Sequence, residues 1–251
     1  MGDKTSITWT GATWNPWTGC TKVSQGCKYC YMYREKTRYR QDPADVMRSK
    51  TTFCAPLHWK EPRLIFTCSW SDFFHKDADA WREEAWSIIE RTPQHTYQIL
   101  TKRPERMHAF LKGRQVLPNV WLGVSVENQE MASERLPWLF KTPARLRFLS
   151  VEPLLAPVDL CEALGIWWHQ GKQQFMYDPW TRRTDWVIVG GESGPNPRPM
   201  QLKWLTSIVE QCQAAGVPVF VKQDSAFKAG QQGRIPDEIW ALKQFPEEVS
   251  A

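Results

Sequence analysis

Val120-Trp-Leu-Gly-Val-Ser-Val126 is the stretch from which the fold can be read. Its apolar residues run on without the polar alternation of a half-exposed strand, so both faces of this strand must be covered. Glu127-Asn128 ends it, a helical pattern follows over residues 131–140, and a second apolar run fills 146–151. Strand, helix and strand in that order need a crossover that leaves the two strands parallel. The unit recurs on both sides. Downstream lie strands at 186–189 and 217–221, joined by an amphipathic helix at 201–215 with Gly216 at its C-terminal cap position. Upstream lie strands at 63–68 and 96–100, with helices at 79–91 and 104–112. A further strand is expected within 8–17. The chain therefore reads as α/β, a partial TIM-like (β/α) barrel of six to seven parallel strands. It reads as one domain over 1–251, with an irregular excursion rich in aromatics and charge at 166–185.

In such folds chemistry sits at the C-terminal strand ends. Here those ends read Ser69-Trp70-Ser71-Asp72, Thr101-Lys102-Arg103, Glu127-Asn128, Glu152, Gly190-Gly191-Glu192-Ser193 and Lys222-Gln223-Asp224. Carboxylates or lysines at nearly every end exceed what loops require and mark one candidate active-site rim.

The 251 residues are 42% hydrophobic and 24% charged, the composition of a globular protein with a sizeable core. No run of 18 apolar residues exists, which excludes a membrane-spanning helix, and the N-terminus has no apolar signal core. Seven cysteines without a secretion signal imply free thiols in a reducing cytoplasm, some of them metal ligands. The net charge of +5 permits a polyanionic partner, and fifteen Trp serve core packing or base stacking.

Cys20, Cys27 and Cys30 place three thiols in eleven residues, with Gly19 and Gly26 to let the loop turn and a helix expected over 31–39. Three thiolates hold three irons of a [4Fe-4S] cluster and leave the fourth open for S-adenosylmethionine. The same spacing suits zinc with Cys54, Cys68 or His75 as fourth ligand. A loop after the first strand, with Tyr29 just before the last cysteine, favours the cluster. Cys161 and Cys212 lie in helical segments and read as core.

Gly26-Cys27-Lys28-Tyr29-Cys30-Tyr31 resembles the radical S-adenosylmethionine superfamily, especially its spore photoproduct lyase branch, although six residues rather than three separate the first two cysteines. Nearly the whole chain is similar to an uncharacterised phage-associated three-Cys-motif family. The similarity rests on Ala12–Cys20, Leu100–Met107, Val120–Asn128, Phe148–Leu155, Val189–Pro195 and Phe220–Gln223. Asp224-Ser225 stands where that family has Trp-Gly after the Lys-Gln pair. The resemblance implies a radical-type barrel, a lyase-like radical enzyme, an external electron donor and a protein partner encoded nearby.

It also suggests roles. Tyr29 would shield the cluster or contact adenine. Ser69, Ser71 and Asp72 would meet the methionyl amine. Ser125, Glu127 and Asn128 would meet the ribose, and Glu152 the cofactor's charge. Lys102, Glu192, Lys222 and Gln223 would face substrate. Structural alternatives stand beside several of these: packing for Tyr29, a helix cap for Ser69, Ser71 and Asp72, a hydrogen-bond network for Ser125, Glu127 and Asn128, and surface solvation for Arg103.

Arg34, Lys36, Arg38 and Arg40, and Trp167, Trp168, Tyr177, Trp180, Arg182 and Arg183, interleave cations with rings. Such mixtures suit nucleic-acid backbones and unstacked bases, which points to repair or modification of a nucleic-acid base, including DNA repair. A zinc-stabilised nucleic-acid-binding module, or a radical enzyme acting on a small metabolite or partner protein, are the other readings.

Overall fold

The computed structural model describes residues 5–169, 174–177 and 183–247. The strands are β1 (Ala12–Trp14), β2 (Trp17–Thr18), β3 (Met47–Arg48), β4 (Leu64–Thr67), β5 (Thr96–Thr101), β6 (Val120–Ser125), β7 (Leu146–Val151), β8 (Ile166–His169), β9 (Gln174–Tyr177), β10 (Trp186–Gly190) and β11 (Val219–Gln223). The helices are α1 (Tyr31–Arg38), α2 (Asp79–Glu90), α3 (Pro104–Leu111), α4 (Gln129–Lys141), α5 (Cys161–Leu164), α6 (Leu202–Ala214) and α7 (Asp237–Trp240). The protein is α/β, and seven of these strands belong to one sheet. The chain divides into two compact units, Met1–Val124 with Lys141–Arg145 and Ser125–Phe140 with Leu146–Ala251.

In the first unit β1, β4, β5 and β6 lie side by side in that order, every pair parallel. All six residues of β6 are buried, as its unbroken apolar run requires. Trp14, Phe73, Trp86 and Tyr97 are buried in this unit, with Trp14 edge-on to Tyr97 at 5.7 Å. Pro104 opens α3, where a missing N–H costs nothing.

In the second unit β7, β10 and β11 are parallel neighbours. Trp186 at the start of β10 is fully buried and stacks on Phe245 at 5.4 Å. Gly216 ends α6 at φ +60; its N–H bonds Gln213 O at 3.1 Å, and Val217 N–H bonds Cys212 O at 2.9 Å. That double closure is the glycine cap expected from the sequence. It also delays the strand: β11 begins at Val219, two residues after the apolar run does.

Two expectations change in detail. Helix α4 runs from Gln129 through Pro137 to Lys141, longer at both ends than its apolar pattern. The excursion at 166–185 contains an antiparallel pair, β8 with β9, rather than irregular chain alone. Trp180 and Arg182 lie outside the described residues. No helix among those described is long and apolar enough to cross a membrane.

Candidate functional site

In the first unit the cysteine loop is fastened to the ends of β4 and β5. Gly19 N–H donates to Trp70 O at 3.0 Å, and Ser71 Oγ donates to Gly19 O at 2.5 Å. Arg103, just past β5, donates to Thr21 O at 2.8 Å and Thr21 Oγ1 at 3.0 Å. His75 Nε2 stands 3.0 Å from the same hydroxyl. From the far side of the loop, Tyr31 donates to Ser69 O, and Tyr33 donates to Cys20 O at 2.5 Å. Gly19 turns at φ +100, and a Cβ there would stand 2.1 Å from Asp45 O, so only glycine fits.

Every cysteine in the described chain is a free thiol. Burial raises the Tyr33 hydroxyl to about 12, and the cysteines of the loop push it the same way. Burial likewise lifts the Cys20 thiol to about 11 against the pull of Arg103, whose Nη1 lies 3.6 Å from the sulfur. The loop's donor set fits an iron–sulfur cluster: three unpaired thiols with a guanidinium to offset their negative charge. Among the described residues no three His, Cys, Asp or Glu side chains stand where one ion could hold them.

Asp72 is a structural centre. It is 5% exposed, and its carboxylate accepts from Thr101 Oγ1 at 2.7 Å, Lys102 N at 3.0 Å, Phe74 N at 2.9 Å and Arg103 Nη1 at 3.1 Å. These partners occupy the group that the sequence offered to a cofactor ammonium. Ser69 Oγ is engaged with the Asn15 amide at 2.9 Å. Tyr29 remains exposed, with Lys28 Nζ 5.1 Å from its ring. Arg103, expected at a solvated surface, has a side chain only 10% exposed. Lys36, grouped by sequence with the surface arginines, is buried and donates to Asp45 O at 2.8 Å.

In the second unit the remaining candidates are engaged by other groups of the same chain. Glu127 and Arg135 form an ion pair at 2.9 Å with both side chains 1% exposed, and Arg135 also donates to Ser125 O at 2.8 Å. Asn128 Oδ1 accepts from Met131 N at 2.9 Å and so caps α4. Glu192 accepts from Arg198 N and Nε, both at 2.9 Å. Gln223 bridges Gly191 O at 2.8 Å and Gly230 N at 2.9 Å. Asp224 accepts from Arg234 Nε at 2.9 Å, and the hydrogen bonds from Arg234 hold its carboxyl below the ordinary range despite burial. Glu152 and Lys222 meet at 2.9 Å and both keep some exposure. Glu127, Asn128, Glu192 and Gln223 thus have partners within the chain; for Glu127 and Asn128, as for Ser125, a hydrogen-bond network was the alternative the sequence left open.

The arginines that complete these pairs escaped the sequence reading, though a signal existed. Arg135 shares the buried face of α4 with Ala132 and Leu139, Arg82 that of α2 with Ala85 and Ile89, and Lys36 that of α1 with Met32. A cation at an apolar-stripe position must have a buried partner.

A family described as "Protein of unknown function (DUF5131)" matches residues 4–241. No curated protein and no solved structure matches the chain.

Proposed function

The chain belongs to the DUF5131 family, and we propose that it is a radical S-adenosylmethionine enzyme that holds a [4Fe-4S] cluster on Cys20, Cys27 and Cys30. The supporting observation is the loop itself: three free thiols in eleven residues, in a loop fastened to two strand ends by Ser71, His75 and Arg103. Its place after β1 of a parallel α/β sheet accords with a partial barrel of the radical type. When bound and reduced by an external one-electron donor, the cluster with S-adenosylmethionine supplies a carbon-centred radical that takes hydrogen from a substrate.

The chain's own residues bind and position. Cys20, Cys27 and Cys30 would hold the cluster through their sulfurs, as thiolates. Arg103 places positive charge against the Cys20 sulfur, and Asp72 fixes the guanidinium that does so. Tyr29, exposed beside the last cysteine, is the candidate for the adenine ring. In the second unit, Glu152 with Lys222 is the rim pair that retains access to a ligand. The substrate class we favour is a nucleic-acid base, in a reducing cytoplasm where the thiols persist.

Anaerobic purification with iron, sulfide and zinc analysis tests this, followed by reduction with S-adenosylmethionine. About four irons and four sulfides per chain, with release of 5′-deoxyadenosine, is the expected result. One zinc, no sulfide and no cofactor cleavage would replace this reading with the zinc-stabilised binding module.

A further inference from the structure

Residues 20–41 contain six cations, Lys22, Lys28, Arg34, Lys36, Arg38 and Arg40, and one carboxylate, Glu35. That is a net charge of +5, and the whole chain is also +5, so everything outside this segment sums to zero. The structure removes Lys36 from the surface and leaves the other five cations exposed. Glu35 is half-buried and turned to Arg34 at 3.3 Å and Arg38 at 3.9 Å. Three tyrosines lie exposed among the cations: Tyr29 at 38%, Tyr31 at 40% and Tyr39 at 64%.

The arrangement follows from helix geometry. Met32 and Lys36, four residues apart, form the buried side of α1. Tyr31, Arg34 and Arg38 fall at spacings of three and four on the opposite, exposed side. Tyr39 and Arg40, just past the helix end, are also exposed; in the adjoining cysteine loop Lys22 donates to Lys28 O at 3.3 Å and lies 4.8 Å from the Tyr33 ring of α1. Tyr31 is held in place by its bond to Ser69 O, and Lys28 flanks the Tyr29 ring at 5.1 Å.

From this we infer that the exposed side of α1, with Lys22 and Lys28, is a docking surface for single-stranded nucleic acid. Cations neutralise phosphates, and the three rings offer faces on which unpaired bases stack. A duplex hides those base faces within its own stack and gains only the phosphate contacts. An acidic protein would meet the cations but has no flat bases to stack on the exposed rings of Tyr29, Tyr31 and Tyr39. The surface adjoins the three thiols, so a bound strand lies beside the reactive loop. This deepens the base-directed reading above and depends on that reading only for what the bound strand is for.

The test is fluorescence anisotropy of a labelled oligothymidylate, a duplex of equal length and poly-L-glutamate as competitor, with the full chain prepared anaerobically. The single strand is expected to bind more tightly than the duplex, and each phosphate contact adds about −0.7 to the slope of log K against log salt. The triple variant R34Q/R38Q/R40Q is expected to weaken binding at least about tenfold and to flatten that slope by about two. Y39A is expected to weaken single-strand binding without changing the slope. A control removing three exposed lysines elsewhere, K60Q/K112Q/K228Q, is expected to bind as the parent does. Equal loss in the control, parent-like binding by the triple variant, duplex preference or equal competition by poly-L-glutamate each overturns the inference. Iron and sulfide content is read in the same samples. A protein that binds through this surface without iron keeps the surface and loses the radical reading, and one with cluster but no surface binding does the reverse.

Discussion

The Arg103 guanidinium reaches the Cys20 sulfur at 3.6 Å across 83 residues of chain, and it does so because Asp72 holds the same Nη1 at 3.1 Å. One buried ion pair therefore joins the thiol loop to the ends of two strands. If either partner is removed, the other is left charged and almost without solvent.

R103Q should accordingly destabilise the protein by about 3 kcal/mol, the scale for breaking a buried pair. R103Q/D72N should cost less than the sum of the single variants, because the second change relieves the stranded charge. Urea unfolding of the four proteins measures this coupling. Additive losses would mean that the two side chains do not depend on each other.

Glu127 and Arg135 carry the same argument in the second unit, where both are 1% exposed. R135M is expected to cost about 3–5 kcal/mol, and an apolar replacement of both partners to recover most of that loss. A cofactor role for Glu127 would give the opposite pattern: E127Q would keep stability and lose S-adenosylmethionine affinity in calorimetry.

Gly19 holds the turn into the cysteine loop at φ +100 against Asp45 O. G19A is expected to lower stability by about 1–3 kcal/mol, the scale of local backbone strain, and to reduce iron loading along with it. C54A, by contrast, changes an exposed thiol outside the loop and should load as the parent does. Metal analysis after anaerobic reconstitution separates the two; equal loading of G19A and parent would show that the loop tolerates a different turn.

His95 supplies a pH dependence. Burial, aided by the charge of Arg63, holds its pKa below the ordinary value of about 6.5 against the opposing bond to Pro56 O. Its Nδ1 is buried with no hydrogen-bond partner, so the native site resists a second ring proton. Below about pH 6.5 the unfolded chain binds that proton more readily than the folded one, and stability falls as pH drops toward the depressed folded pKa. His75, lowered chiefly by burial, acts in the same direction. Urea midpoints at pH 8 and pH 5.5 should differ more for the parent than for H95Q. An identical difference would remove His95 as a contributor.

What the sequence determined is what depends on neighbours along the chain. Apolar runs located six of the seven parallel strands to within a few residues, because a strand covered on both faces has few polar positions to spare; β1 was bounded only to residues 8–17. Helical spacing located α2, α3, α4 and α6, and Gly216 marked a cap that only a left-handed residue closes. The three thiols of the loop were legible for the same reason, since their spacing is local.

Tertiary structure alone decided how the strand-end charges are used. Asp72, Glu127 and Glu192 stood as candidates for a ligand, the first two equally for a structural role; each is buried and engaged by the chain's own groups, as is the neutral Gln223. Lys36 read as surface charge and lies in the core. A strand end is fixed by local pattern, but the partner facing it is set by crossovers and register that bring distant residues together. A buried charge cannot stand without such a partner, so folding assigned each of these groups one, and the sequence held no local record of the choice.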